Sequence, residues 1–350
     1  MIKTLKELSD LGGISGFEYT VSPKVCDLLN GYCDEVKVHP SGNVLGMIYS
    51  DKKDAPTVLI EAHMDGIGLM VKEITDHGFI TFVPIGGIDP RILPSSEVIV
   101  CGKKELFGVI GAKPPHLMSS DDSKKAPEIS DMAIDVGMPY DEVKKYVSVG
   151  DMIYFKTEAV SLANENMLSG KYFDDRAGIV SLLICLENLK GKKLPFNLAV
   201  LCAVQEEVGL RGAVMGAYSV STVASIVVDV CHGTTPDSGS ESVFDPGSGI
   251  VLSLGPNINP RLSQLAKSVA DKNEIKYSLD VDGGDTGTDA WAIQVSKTGV
   301  ATLLLSIPLR YMHTTVETLS FDDVNSCGKL MAETLLNLDA EEFLLCTLKN

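Results

Sequence analysis

Tryptophan occurs once in 350 residues, at Trp291, and aromatic residues make up only 6% of the chain, which leaves little platform for stacking sugar rings. Positive charge is also scarce: 30 lysines and arginines stand against 47 acids, for a net charge of −17. That balance argues against nucleic acid or an anionic membrane as the main partner. The opening Met1-Ile2-Lys3-Thr4-Leu5-Lys6 has no apolar targeting region, and no run approaches the about 18 apolar residues of a membrane span. A cytoplasmic protein is the expectation. The eight cysteines, at 26, 33, 101, 185, 202, 231, 327 and 346, show no CxxC pair and no framework spacing. Several lie inside apolar runs such as Ile184-Cys185-Leu186, where reduced core cysteines belong. Internal repeats and low-complexity segments are missing as well.

What is present reads as an ordinary globular protein, too long for one core. Residues 2–11 have the spacing of an amphipathic helix, followed by the turn Gly12-Gly13-Ile14-Ser15-Gly16 and a second helix near 20–31. Strand signals follow at 43–49 and 57–62. From about 68 to 160 short β-type runs, Phe79–Val83, Glu97–Cys101, Leu106–Gly111 and Met152–Phe155, alternate with glycine and proline. Ser119 to Lys125 in that stretch reads as a surface loop. After about 162, helices and apolar strands alternate as in α/β domains. A helix after Asp175 carries Ala177, Val180, Leu183, Ile184 and Leu186, and a last long helix opens on the capping-box pattern Ser320-Phe321-Asp322-Asp323. The simplest topology is an α/β domain built from residues 1–67 and 162–350, with a small all-β unit, residues 68–161, inserted after His63-Met64-Asp65.

The strand-like runs end in chemistry. Leu198 to Val204 leads into Gln205-Glu206-Glu207-Val208-Gly209, and buried paired acids are costly unless they meet a metal, a proton or a counter-ion. Val58-Leu59-Ile60-Glu61-Ala62 leads into His63-Met64-Asp65, Ser225 to Val228 leads into Asp229, and Thr302 to Ile307 is followed by His313. Open α/β sheets bind ligands at the carboxyl ends of their strands, so four such deliveries point to a metalloenzyme. Each piece alone has a plainer reading. His63-x-Asp65 could be a core pair, Asp174-Asp175 a helix cap, Asp229 an acid paired with arginine, and His313 a structural histidine. Asp289 reads as the cap of the helix through Trp291, and Arg310 as the partner of an acid. Cys231 and His232 fall near Asp229, and His39 and His77 read as surface residues.

Taken in order, these pieces resemble the cellulase-M/glutamyl aminopeptidase family, the TET-type dinuclear metallo-aminopeptidases. The resemblance spans nearly the whole chain. It includes Gly12-Gly13-Ile14-Ser15-Gly16, Ala62-His63-Met64-Asp65, Gly86-Gly87-Ile88-Asp89-Pro90, Gly108-Val109-Ile110-Gly111 and Pro114-Pro115-His116. It continues with Phe173-Asp174-Asp175-Arg176, the Gln205–Gly209 segment, Asp229, Gly287-Thr288-Asp289-Ala290 and Ile307-Pro308-Leu309-Arg310-Tyr311-Met312-His313.

The resemblance implies a mixed-sheet, zinc-exopeptidase-like α/β domain with an inserted barrel or PDZ-like β domain used for dimerisation. It implies two divalent ions, zinc or cobalt first and manganese next. His63, Asp174 and Asp229 would hold one, and Asp174, Glu207 and His313 the other, with Asp174 shared. Glu206 takes the general-base position and Asp65 the place of the acid that orients His63. The implied substrates are peptides with a free N-terminus, and the implied assembly runs from a dimer to a tetrahedral dodecamer. One departure stands out: Gly66 follows His-x-Asp where the family commonly has an acid. Two other readings compete with the aminopeptidase. An endoglucanase-type glycosidase could use Glu206 and Glu207 but leaves the other ligand-type residues without a task. A metal-stabilised, inactive assembly protein has no missing ligand or base in this sequence to suggest it.

Overall fold

The strands Asn197–Ala203, Thr57–His63, Thr222–His232 and Ala301–Arg310 lie side by side and parallel at the centre of an eleven-stranded mixed sheet. Their sequences are near-continuous apolar runs because both faces are covered. One face carries the helices Phe173–Leu189 and Phe321–Asn337, and the other carries Arg211–Ser219 and Asp289–Ile293. Antiparallel strands complete the sheet on each side, so residues from both ends of the chain share it. The computed structural model describes residues 1–112, 126–239 and 242–343.

Between Gly68 and Phe155 six antiparallel strands close into a barrel around a separate apolar core of Val71, Phe82, Val98, Ile134 and Phe155. Ile14 and Tyr172, from the other part of the chain, pack into that core. The architecture is the expected mixed α/β sheet with a β barrel. The barrel region also holds a helix, Tyr140–Tyr146, which the alternation of short β runs did not suggest. Its Asp141 and Glu142 in the first turn and Lys144 and Lys145 in the last complement the helix dipole.

Local differences have physical causes. The second helix is shorter than its pattern, Ser22–Leu29, with a single 3₁₀ turn, Glu18–Thr20, ahead of it. The capping box at Ser320 does not form: Ser320 makes no side-chain cap, and Asp323 instead accepts the N–H groups of Gly247 and Gly249 at 2.6 and 2.9 Å. Asp174 and Asp175 fall within Phe173–Leu189 but have non-helical backbone, so regular helix begins only after them. The described cysteines are all unpaired, and no described helix is long and apolar enough to cross a membrane. The expected loop Ser119 to Lys125 and His116 lie outside the described residues.

Candidate metal centre

The parallel strands end at one level. His63 is the last residue of its strand and pairs in register with Ala203, just ahead of the Glu206-Glu207 turn. Asp229 lies near the end of the neighbouring strand, and His313 follows three residues after Arg310. Asp174 arrives from the start of the long helix. Three of these deliveries pass through left-handed, non-glycine backbone: Tyr172 at φ 59°, Gln205 at 57° and His313 at 59°. Such strain persists where surrounding contacts over-determine it, as at functional sites.

Seven sequence-selected residues meet here. His63 Nε2 lies 3.1 Å from Asp174 Oδ1, and His313 Nε2 lies 3.3 Å from Asp174 Oδ2 and 3.1 Å from Glu207 Oε2. Asp229 and Glu206 each place a carboxylate oxygen 4.0 Å from His63 Nε2. Two donor triads result, each with ligand atoms within 4.8 Å of one another: His63, Asp175 and Asp229, and Asp174, Glu207 and His313. Asp175 belongs to the first by position. Its Oδ1 accepts the Gly178 N–H at 3.0 Å, and its buried Oδ2 has no hydrogen-bond partner among the described residues.

Electrostatics makes the cluster unusual. Among the described residues no lysine or arginine forms an ion pair with any of these acids. Burial, reinforced by neighbouring acids, pushes Glu206 up to about 10 and Asp229 up to about 7, and raises Glu207 and Asp175 as well. Burial alone would lower His63 and His313, yet hydrogen bonds to Asp174 and neighbouring carboxylates lift His63 well above its usual range and His313 to about 11. The same two histidines hold Asp174 below the ordinary carboxylate range against the pull of burial. Buried acids with mixed imidazole and carboxylate donors and no cationic side chain fit divalent metal ions.

Further groups hold this cluster in shape. Asp65, fully buried, accepts N–H groups from Glu206 at 3.0 Å and Glu207 at 3.3 Å, and a hydrogen bond from the Ser15 hydroxyl. Its backbone oxygen, 3.2 Å from His63 Nδ1, is closer to that ring than its carboxylate, at 3.6 Å. Glu18 accepts the Gln205 N–H at 3.0 Å. Glu317 accepts N–H groups from Phe173 at 2.7 Å, Asp174 at 3.2 Å and His313 at 3.0 Å. Sequence reasoning passed over Glu317 and Glu18 because a lone acid in a short polar segment carries no spacing signal. Arg176, fully buried, donates to the carbonyls of Leu8, Leu11, Gly12, Gly13 and Met64 and staples the N-terminal turn beneath the site.

Other expectations are corrected. Asp289 does not cap its helix, where Thr288 stands at the N-cap. It is buried against Glu61, and burial, reinforced by that neighbouring carboxylate, raises it. Arg310 donates to the Thr234 carbonyl at 2.6 Å rather than to an acid. His39 is half-buried, while His77 is exposed. Gly66 has a steric reason: a Cβ there would lie 2.5 Å from Tyr172 Cδ1, so the buried tyrosine ring takes the space of a side chain.

The cluster opens onto a cavity of about 900 Å³, bordered by Asp174, Glu206, Glu207, Asp229 and His313. Cys231 and His232 also border it. Gly87, from the barrel region, forms part of its wall, and a Cβ there would lie 3.0 Å from His313 Nδ1.

Comparison with known proteins adds an independent line. The profile of a family described as M42 glutamyl aminopeptidase matches residues 42–330. Lysyl aminopeptidase of Pyrococcus furiosus is 34% identical over 344 residues, covering 97% of this chain and 98% of its own. The solved structure of a TET aminopeptidase from a marine sediment Thaumarchaeota archaeon matches with TM-score 0.92 at 31% identity, covering 98% of each chain. The TET1 peptidase of Pyrococcus horikoshii, which can assemble into a tetrahedron or a large octahedral shell, matches with TM-score 0.84 at 33% identity, covering 96% of this chain and 99% of its own.

Proposed function

The chain belongs to the M42 glutamyl aminopeptidase family, and from that premise we propose that it is a dinuclear metallo-aminopeptidase removing N-terminal residues from peptides. Asp174 carries this reading. Its two carboxylate oxygens face one imidazole each, His63 at 3.1 Å and His313 at 3.3 Å, so this one side chain would serve both ion sites. We assign His63, Asp174 and Asp229 to one ion and Asp174, Glu207 and His313 to the other. Asp175, which does not border the cavity, supports the first set from beneath. These nitrogen and oxygen donors suit zinc or cobalt, and manganese next. When bound, the ions supply Lewis acidity towards the scissile carbonyl and the attacking water.

The chain's own residues do the rest. Glu206 stands outside both donor triads and borders the cavity, free to take the proton of the attacking water and return it to the leaving amine. Asp65 fixes the backbone of Glu206 and Glu207 relative to His63. The acids around the cavity draw the ammonium of a free N-terminus, and a blocked N-terminus brings them no charge.

In this reading residues 1–67 and 162–350 form the catalytic domain, and 68–161 form an inserted dimerisation unit that also lends Gly87 to the site. The assembly is a homo-oligomer between a dimer and a tetrahedral dodecamer, in keeping with the shells formed by the TET1 peptidase. Light scattering should return a whole multiple of 37.5 kDa, and a 37.5 kDa species alone rejects the assembly.

The catalytic reading is tested with aminoacyl-p-nitroanilides and their N-acetylated counterparts, after chelation and then zinc or cobalt add-back. Metal-restored cleavage of free-amine substrates alone supports it. Cleavage that survives complete chelation, or equal cleavage of acetylated substrates, rejects it.

A further inference from the structure

Beyond the carboxylate–histidine cluster the same cavity continues to a second acidic wall, and sheet register accounts for it. Asp229 pairs with Ser306, and Ser306 pairs with Val251 on the next strand. Two residues beyond Val251, Ser253 pairs with Asp280. Register partners share a face, as do residues two apart, so Asp229, Ser306, Ser253 and Asp280 line one side of the sheet. All four border the cavity. Three strand spacings of about 4.8 Å and a two-residue advance put roughly 16 Å between the backbones of Asp229 and Asp280.

Asp282 and Asp285 follow Asp280 on the same wall. Each accepts one loop N–H, Asp282 from Gly284 at 2.9 Å and Asp285 from Gly287 at 2.8 Å. Among the described residues no lysine or arginine borders the cavity. Between the two walls, the buried side chains of Ser306 and Ser253, 4% and 5% exposed, face the cavity without a hydrogen-bond partner among the described residues. The three far carboxylates do not converge on one point, as the two donor triads do. They suit an extended organic cation rather than a metal ion.

We propose that Asp280, with Asp282 and Asp285, receives the cationic side chain of an N-terminal lysine or arginine, so that the enzyme acts on peptides with basic N-termini. This inference rests on the aminopeptidase reading above and adds its substrate class. The α-amine lies at the Asp174–Glu206–Glu207–Asp229 end, and the long flexible stem of the side chain passes Ser306 and Ser253 towards Asp280. An N-terminal glutamate brings a like charge to the same wall and is disfavoured.

Lysyl, arginyl, leucyl and glutamyl p-nitroanilides are compared on the metal-loaded enzyme and on Asp280→Asn. Asp282→Asn serves as a second variant should Asp280→Asn not fold. The expected kcat/KM for the basic substrates exceeds that for leucyl by about tenfold or more, with glutamyl poorest. In each variant the lysyl-to-leucyl ratio falls, by about tenfold in Asp280→Asn, and added salt narrows the wild-type preference. Calorimetry of lysinamide against leucinamide on the metal-loaded Glu206→Gln protein reads the same preference without turnover. A leucyl or glutamyl preference, or an unchanged lysyl-to-leucyl ratio in both variants, overturns the inference and leaves the aminopeptidase standing. Cleavage of no free-amine substrate by folded, metal-loaded protein overturns the aminopeptidase, and this inference with it.

Discussion

Glu317 joins two loops that must stay in step. Its carboxylate accepts N–H groups from Phe173 and Asp174 on one side and from His313 on the other, so the shared Asp174 and the His313 ring are set by one buried acid. Glu317→Gln keeps the shape but replaces one acceptor oxygen with a donor, leaving at least one of those N–H groups without its partner. The expected result is a loss of about 10–100-fold in metal affinity, read by metal titration, with turnover recovering at high metal concentration. Unaltered affinity would remove Glu317 from this role. Glu206→Gln separates the chemistry from the binding: two ions per chain should remain by elemental analysis, while kcat falls about 10²-fold or more. Near-native turnover would sink the base assignment. At this scale the sequence exposed the residues at strand ends, because an apolar run breaking into Glu206-Glu207 is anomalous in itself. Glu317, Glu18 and Ser15 stayed hidden because their work lies in backbone N–H and side-chain contacts that only the folded loops create.

Among the elements, the four parallel strands were the most legible, since doubly buried strands must be written as apolar runs such as Leu198 to Val204. The helix Tyr140–Tyr146 was not, since seven residues bracketed by Pro139 and Val147 give no periodicity to read. The capping box failed for a different reason: the same pattern serves a tertiary contact, with Asp323 tying the Gly247–Gly249 turn to the helix start. Gly66 shows how one element constrains another. It ends the His63 segment where Tyr172, held in the barrel core, leans across from the start of the long helix. Gly66→Ala should therefore lower unfolding free energy by about 1–3 kcal/mol in denaturant titration, as the ring or the segment is forced aside. Because Ser15 N–H bonds to the Gly66 carbonyl, and Ser15 to Asp65, the same change should weaken activity along with stability. A variant as stable as the parent would show that Tyr172 yields at no cost.

For the whole molecule, concentrating so many acids in one buried centre sets how stability answers to pH and metal. In the metal-free protein burial raises Asp229 from 3.8 to about 7, and raises Asp175, Glu207 and Glu317 in the same direction. Between pH about 4 and 7 the native state therefore keeps protons that the unfolded chain has released. Native stability falls across that window as pH rises, by about 1.4 kcal/mol per pH unit for Asp229, and the other raised acids act in the same direction. Asp174 works the other way, but its depressed value places its gain below pH 3.8. Lys171, buried and lowered to about 7, adds stability only above that pH, so it does not interfere. Divalent ions reverse the balance, because their carboxylate and imidazole ligands must shed protons to bind, and affinity then weakens on acidification. Chelated protein should melt at a lower temperature at pH 7 than at pH 5, and zinc or cobalt should raise its Tm more at pH 7 than at pH 5. Calorimetry in buffers of differing ionisation heat should show protons released as metal binds. A chelated protein that gains stability between pH 5 and 7 would mean these acids are charged and already paired in the native state, and a metal would have no charge vacancy to fill.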